Sequence, residues 1–327
     1  MRDISSISFT HENVLDFAAL GLQRLRVIAA GIDLGGTKIE AQLFDADWKV
    51  VADQRIATPV DYHGLLDAVA GLVAWADQTA GKALTIGICH PGLTDPMTGQ
   101  ALAANIPTTG HSFVQDISDL TAREISCLND CRALALSEAA FGHGRGHRTV
   151  AALVMGTGIG GGVVVDKSIW EGPTGVGGEF GHGPLPAHLV QASDLPIVPC
   201  GCGRLGCVET LISGPGLTRL GQSMTGRKLS PVEIAAGRLS DPDIAKVWDV
   251  WCQLVAETLH SIVLTVDPDV IVLGGGLSQI DGVAADLSRS LGAIQLAPWG
   301  NVPIHCAQGG DASGARGAAY YAMRTPQ

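Results

Sequence analysis

Twice in this chain a strand-like run enters a cluster of glycines and leaves it as a second strand-like run. This repeat constrains the fold more than any other feature. The first copy is "RVIAAGIDLGGTKIEAQLFD", residues 26–45, and the second is "TVAALVMGTGIGGGVVVDKSIWEG", residues 149–172. Apolar and β-branched residues flank the glycines in both, so each turn joins two strands as a hairpin. A dinucleotide-binding turn feeds a helix instead, which argues against a nicotinamide-dependent oxidoreductase. Hairpins of one plan at residues 27–44 and 149–166 predict two similar halves, and two halves that face each other enclose a cleft.

Strand and helix signals alternate through the rest of the chain, which predicts an α/β fold. Leu65, Leu66, Val69, Leu72, Val73 and Ala76 recur at helical spacing within 65–80, and "LTIGICHPG" returns as a strand ending in a Pro-Gly turn. "ISCLND" reads as a short buried strand with Asn129 and Asp130 at its end, and "CRALALSEAAFG" as an alanine-rich helix closed by Gly142. Ile244 to Val266 reads as a long helix that "DPD" terminates, "VIVLGGG" as a strand, and "GDASGARGAAYYAM" as a loop feeding a terminal helix. The first 25 or so residues show no sustained periodicity, and either a partly ordered extension or a packed helix fits them.

With 327 residues, 46% of them hydrophobic, the chain can bury a large core divided between two lobes. Its 32 acidic against 21 basic side chains give a net charge of -11, which repels a phosphate backbone, and no dense Lys/Arg stripe reverses that field. Nucleic acid is therefore not an expected partner. Apolar runs such as Val150–Val154 and Val270–Leu273 are strand-length, far short of the roughly 20 residues that span a bilayer. Arg2 is followed by polar residues rather than a signal-like apolar stretch, so the expectation is a cytoplasmic protein without a membrane partner.

In Asp33-Leu-Gly-Gly-Thr-Lys38 the amides of Gly35 and Gly36 can approach an anion, Thr37 offers a hydroxyl, and Asp33 suits a magnesium ion held through water. A tight hairpin turn with an exposed Asp accounts for the same residues. Five of the seven residues from Gly156 to Gly162 are glycine, a loss of chain order and packing that makes sense where backbone must touch a ligand. "GGGLS", Gly274 to Ser278, either lays backbone against a flat ring system or is a plain strand-to-helix turn. Asp130 stands where a strand ends and a helix begins. It either caps that helix or, kept ionised by the helix amides, accepts the proton of an alcohol attacking phosphorus. Asn129 faces the same alcohol region.

The eight cysteines stand at 89, 127, 131, 200, 202, 207, 252 and 306, and only the three in "PCGCGRLGCVET" cluster. The scattered ones suit small buried hydrophobes. His182, in "GEFGH" with Glu179, precedes Cys200, Cys202 and Cys207: one nitrogen and three sulfurs in an order compatible with tetrahedral zinc. Gly201, Gly203 and Gly206 permit the sharp turns that wrapping a metal requires. A set of four protein ligands leaves no open position, so this zinc is expected to be structural, fixing His182 and the loop that carries Glu209.

In their order along the chain, Asp33–Lys38, Pro91-Gly92, Asn129-Asp130, Gly156–Gly162, Gly178–His182 and Cys200–Glu209 resemble the ROK family of bacterial sugar kinases, over residues 27–322. "AANIP", "NDCRALALSEA", "GEFGHGPLP", "DPDVIVLGGGLS" and "GDASGARGAAY" are most similar to its members that act on N-acetyl-D-glucosamine. The resemblance implies an actin- and hexokinase-like fold of two ribonuclease-H-like lobes with ATP and sugar between them. It implies an N-terminal extension at 1–26, a small lobe at 27–130, a large lobe with the ATP site and zinc loop at 131–310, and a terminal helix at 311–327 returning to the small lobe. Asp130 would be the general base on the sugar 6-hydroxyl, Asn105 and Asn129 would contact sugar hydroxyls, and Glu179, His182 and Glu209 would hold the ring near its first carbons and 2-substituent. Asp33, Gly35, Gly36, Thr37 and Lys38, with Gly156, Thr157, Gly158, Gly160 and Gly161, would serve the ATP phosphates, while Gly274, Gly275 and Gly276 would lie along the nucleoside.

The implied cofactors are ATP, Mg2+ and a structural Zn2+ on His182, Cys200, Cys202 and Cys207. The implied substrate is an amino sugar or hexose, and the implied assembly a homodimer. Phosphorylation of N-acetyl-D-glucosamine at O6 is the first expectation; a kinase for glucose, fructose or N-acetylmannosamine is the alternative. A non-catalytic sugar sensor is a remote third, expected to lack Asp130 or to carry a DNA-binding domain. Two departures stand out. About 25 residues precede the first strand, too few and insufficiently basic for the winged helix of the family's repressors. His90 precedes Pro91-Gly92, where a small or apolar residue is commoner, which bears on the shape of the sugar site.

Overall fold

The computed structural model describes residues 26–296, 300–310 and 313–325, so the extension expected before residue 26 lies outside the described residues. Strands β1 (Ala29–Leu34), β2 (Lys38–Phe44) and β3 (Val50–Ala57) form an antiparallel meander. β4 (Thr85–His90) lies parallel to β1; β5 (Leu93–Thr94) and β6 (Ala101–Leu102) make a separate small hairpin; and β7 (Ser126–Asn129) lies parallel to β4. The plan then repeats. β8 (Thr149–Met155), β9 (Ile159–Val165) and β10 (Ser168–Ile169) form the second meander, and β11 (Val270–Gly274) and β12 (Ile304–Cys306) add to β8 in parallel. The orders β3-β2-β1-β4-β7 and β10-β9-β8-β11-β12 are the same, as the paired hairpins in the sequence predict.

Helix α1 (Tyr62–Ala80) buries Leu65, Val69, Leu72, Val73 and Ala76, the stripe expected from their spacing. Asp61 caps its start by accepting from Gly64 N, and Gly81 ends it at φ 66°. With α2 (Phe113–Thr121), α1 shares the core of Ile32, Leu34, Ile39, Ile88 and Phe113 on the first sheet. After α3 (Asp130–Phe141) come α4 (Ala187–Ala192), α5 (Glu209–Ile212), α6 (Gly214–Thr225), α7 (Pro231–Gly237), α8 (Pro242–Val266), α9 (Val283–Ile294) and α10 (Ser313–Arg324). The 25-residue α8 anchors the second core through Trp251, which is fully buried and donates its indole N–H to Ile212 O at 3.0 Å. It ends at Asp267 in the left-handed region, φ 47°, at the turn expected from "DPD".

Two helices join the halves. α3 leaves β7 and packs against β8 and β9, whereas α10 leaves the second half and packs on β1, β4 and α3. That contact is backbone on backbone: a Cβ on Gly31 of β1 would fall 1.8 Å from Ala315 O, and one on Gly87 of β4 would fall 1.9 Å from Ala318 O. Only glycine lets the helix lie this close to the sheet. Among the described residues no helix is long and apolar enough to cross a membrane.

Candidate active site

β7 ends and α3 begins beside the first glycine turn. Asn129, not Asp130, caps the helix: its Oδ1 accepts from Cys131 N at 2.9 Å and Arg132 N at 3.3 Å. Its Nδ2 donates to Gly92 O at 3.0 Å, which ties the cap to the Pro91-Gly92 turn. Asp130 is thereby freed from the capping role that the sequence left open. Its half-buried carboxylate accepts from the neighbouring Cys131, from the backbone N at 2.8 Å and from the thiol. His90, paired in register with Asn129, is buried at 3% exposure and donates from Nδ1 to Pro91 O at 3.1 Å. Burial holds its imidazole below the usual range despite the charge of Asp130, so it shapes the wall as a neutral ring set edge-on to Phe113.

Asp33 is not the exposed residue of a plain turn. Burial, reinforced by the nearby charge of Asp130, pushes its carboxyl up to about 6, against a weaker opposing hydrogen bond from the Cys89 thiol at 3.5 Å. A carboxyl raised from 3.8 to about 6 disfavours folding once the pH passes 6, by on the order of 3 kcal/mol. Its contribution is therefore least unfavourable below pH 4 and fully adverse at pH 8. Asp33→Asn is expected to raise the thermal midpoint at pH 8, with the gain shrinking toward pH 4. Scanning fluorimetry across that range checks it, and a gain independent of pH would remove the burial argument.

The first turn comprises Gly35, Gly36 and Thr37. Gly35 N donates to Lys38 O at 2.9 Å, Thr58 Oγ1 donates to Gly35 O at 2.6 Å, and Gly36 and Thr37 stay exposed. Asn105 arrives from the β6–α2 connection: a Cβ on Gly36 would stand 2.9 Å from Asn105 O. Lys38 begins β2 with its ammonium 3.4 Å from Glu40 Oε2.

The second turn is shorter than the glycine run that contains it. Gly156, Thr157 and Gly158 make the turn, closed by Gly156 N donating to Gly158 O at 3.0 Å. Gly160 and Gly161 lie inside β9, where a Cβ would fall 2.7 Å from Cys131 Sγ and 2.2 Å from Ala152 O respectively. Packing accounts for glycine at those two positions. The same holds for Gly274 and Gly275, whose Cβ atoms would meet Leu134 Cδ1 at 2.7 Å and Met155 O at 2.4 Å; Gly276 alone of the three opens onto free space. Sequence reasoning missed the start of α6: Gly214 N donates to Gly156 O at 2.8 Å, so Ser213-Gly214-Pro215 stands at the second turn. Its signal was a serine N-cap followed by proline at the first turn of a helix.

Glu179, His182 and Glu209 come together. His182 Nε2 lies 3.8 Å from Glu179 Oε2, and its Nδ1 lies 3.7 Å from Glu209 Oε1. Glu209 Oε2 accepts from Ile159 N at 3.3 Å, immediately after the second turn. Burial raises the Glu179 carboxyl, and the charges of Asp130 and Glu209 add to that, while His182 and Arg132 oppose it. Asp33, Asp130, Glu179 and Glu209 thus form a chain of carboxylates that act on one another, suited to accepting from a neutral, hydroxyl-rich ligand.

Donor atoms of His182, Cys200, Cys202 and Cys207 all lie within 4.8 Å of one another. The Cys200 Sγ to His182 Nδ1 and Cys202 Sγ to Cys207 Sγ separations are both 3.6 Å. Tetrahedral zinc with bonds of about 2.3 Å to sulfur sets its ligands about 3.8 Å apart, so the residues fit that ion. Without a cation, burial and Glu209 push the Cys200 thiol up to about 12, which a bound ion would reverse.

Residues 29–325 match the model of the ROK family. The chain belongs to the ROK family. An N-acetylgalactosamine kinase of Shewanella sp. (strain ANA-3) is 38% identical over 88% of this chain and 94% of its own. An N-acetyl-D-glucosamine kinase of Escherichia fergusonii is 38% identical over 89% of this chain and 97% of its own. Among solved structures, a ROK family glucokinase from Streptomyces griseus in complex with glucose and AMPPNP superposes with a TM-score of 0.74 at 26% identity, covering 91% of this chain and 100% of that one. This ROK chain shares the two-lobed mixed α/β fold of its relatives. Its likeness to sugar kinases supports an ATP-dependent phosphotransferase activity.

Proposed function

We propose that this chain transfers the γ-phosphoryl group of ATP to O6 of N-acetyl-D-glucosamine, giving N-acetyl-D-glucosamine 6-phosphate and ADP. The observation that carries the reading is Asp130, a carboxylate at the head of α3 that does not serve as the helix cap, set in one electrostatic chain with Asp33 at the first turn and with Glu179. Asp130 accepts the proton of the 6-hydroxyl as its oxygen attacks phosphorus. Amides of Gly35, Gly36, Gly156 and Gly158, with Thr37 and Thr157, receive the phosphates. Asp33 would hold a Mg2+ ion through water, where the ion would supply positive charge beside the phosphates.

Asn105, Asn129, Glu179, His182 and Glu209 are assigned to the sugar. Glu209 is the residue through which the metal loop reaches the second turn, since its carboxylate contacts both Cys200 Sγ at 2.9 Å and Ile159 N at 3.3 Å. Residues 27–130 form the small lobe and 131–310 the large one, a division supported by the membership of the two sheets. A homodimer and a cytoplasmic location, both expected for this family, complete the reading.

One other substrate has a specific observation behind it: the Shewanella relative is a kinase for N-acetylgalactosamine, which inverts C4 and leaves the 2-substituent unchanged. A coupled ADP-release assay with ATP, Mg2+ and N-acetylglucosamine, N-acetylgalactosamine, N-acetylmannosamine, glucose and fructose tests the assignment. The expected result is a kcat/KM for N-acetylglucosamine at least about tenfold above that for glucose. Preference for the C4 epimer would move the substrate and keep the chemistry. Absence of turnover with every sugar would overturn the kinase reading.

A further inference from the structure

Arg132 lies two residues past Asp130 on α3 and keeps only 6% of its surface exposed. A guanidinium stays charged at any physiological pH, so burying it demands acceptors aimed at its N–H groups. Among the described residues it forms no ion pair within 4 Å, and its bonds go to backbone carbonyls. Nε donates to Gly177 O at 3.2 Å, and Nη2 donates to Gly175 O.

Both carbonyls belong to the segment between β10 and Glu179, which has no strand or helix to hold it and takes positive φ at Gly172, Gly175 and Gly178. A Cβ on Gly178 would fall 2.5 Å from Gly161 O, so the segment presses on β9 just before Glu179. A Cβ on Gly175 would fall 3.7 Å from Thr94 O, where the β5–β6 hairpin of the other half arrives. Glu179 is thus anchored twice: on its C-terminal side through His182 and the cysteine cluster, and on its N-terminal side through the carbonyls that Arg132 grips.

We infer that Arg132 is a positioning residue for the sugar: by clamping Gly175 O and Gly177 O it sets where Glu179 stands relative to Asp130. It thereby governs affinity for the sugar and leaves nucleotide affinity alone. The inference rests on the sugar-kinase reading of this cleft. Neither glycine turn is touched by the clamp, which is why the two affinities separate.

Arg132→Met keeps length and apolar bulk but removes the donors, and Arg132→Lys keeps the charge with a single ammonium. The Met variant is expected to raise the KM for the sugar about tenfold, the equivalent of one lost charge-assisted hydrogen bond. Calorimetric titration of the same sugar without nucleotide is expected to show the same factor in Kd, with KM for ATP changed by less than about twofold. Partial recovery in the Lys variant is expected, and if the Met variant fails to fold, the Lys variant carries the test by the same split. Sugar and ATP constants moving together, or an unmoved sugar constant in folded protein, would overturn the role of Arg132. A wild-type enzyme without sugar-dependent ADP release would instead overturn the reading on which it stands.

Discussion

Asp130→Asn is expected to reduce sugar-dependent turnover by roughly 10²- to 10⁴-fold, the range that a positioned general base contributes. The substitution is nearly isosteric, and an amide Oδ1 still accepts from Cys131 N, a bond of 2.8 Å in the native chain. The cap of α3 is untouched because Asn129 supplies it. ATP should therefore bind the variant with a dissociation constant close to wild type, measured by calorimetry, while a coupled assay shows ADP release lost. Near-normal turnover in the folded variant would remove Asp130 from the role of base. The loss is also expected to persist at every pH, since an amide cannot recover proton-accepting power as the solution becomes more alkaline.

Loss of the zinc proposed for the Cys/His set is expected to act through the fold rather than through the chemistry. Cys207 is 1% exposed, and its backbone pairs with Pro184, while Val208 N donates to Gly183 O at 2.8 Å. The cluster therefore staples the His182 segment to the start of α5, and with it Glu179 and Glu209. Structural zinc is worth about 10 kcal/mol or more in small zinc-binding peptides. Here the rest of a large core remains, so Cys207→Ser should lower the thermal midpoint and raise the sugar KM without unfolding the whole chain. Elemental analysis should find one zinc per native chain and less than that in the variant. Chelator-treated enzyme should regain activity with added Zn2+ and not with excess Mg2+. Zinc-free protein of unchanged midpoint and unchanged sugar KM would show that the four residues are only neighbours. Acid should weaken the site, because thiolate and neutral imidazole ligands bind a cation only after losing their protons, so protons compete with the ion.

Much of the architecture was legible because it is written in local spacing. The hairpins at residues 27–44 and 149–166 carry strand-length apolar runs on both sides of glycine, and α1 and α8 carry continuous helical stripes with capping residues at their ends. The Cys/His set was legible because three of its ligands fall within eight residues and glycines separate them. Asp130 was visible as a carboxylate at a strand-to-helix junction, yet sequence left capping and catalysis as equal readings of it. The hydrogen bonds that Asn129 accepts from Cys131 N and Arg132 N give the cap to Asn129, and the catalytic role of Asp130 is the proposal that follows.

The glycines mark the boundary most clearly. Composition treats Gly156, Gly158, Gly160, Gly161, Gly274, Gly275 and Gly276 alike, because glycine is chosen both where a ligand approaches and where another element packs. The neighbours that separate these uses sit on other elements: Cys131 meets Gly160 only when α3 packs on β9, and Met155 meets Gly275 only when β11 pairs with β8. Arg132 shows the same limit, since its partners lie 43 and 45 residues away in a segment without periodicity. By itself the sequence determined the hairpins, the longest helices, the repeated plan and the make-up of the Cys/His loop, all of which depend on residues close together in the chain. The tertiary structure alone decided which glycines stay open, which side chain caps α3 and what holds Glu179, because those depend on contacts that form only when distant segments meet.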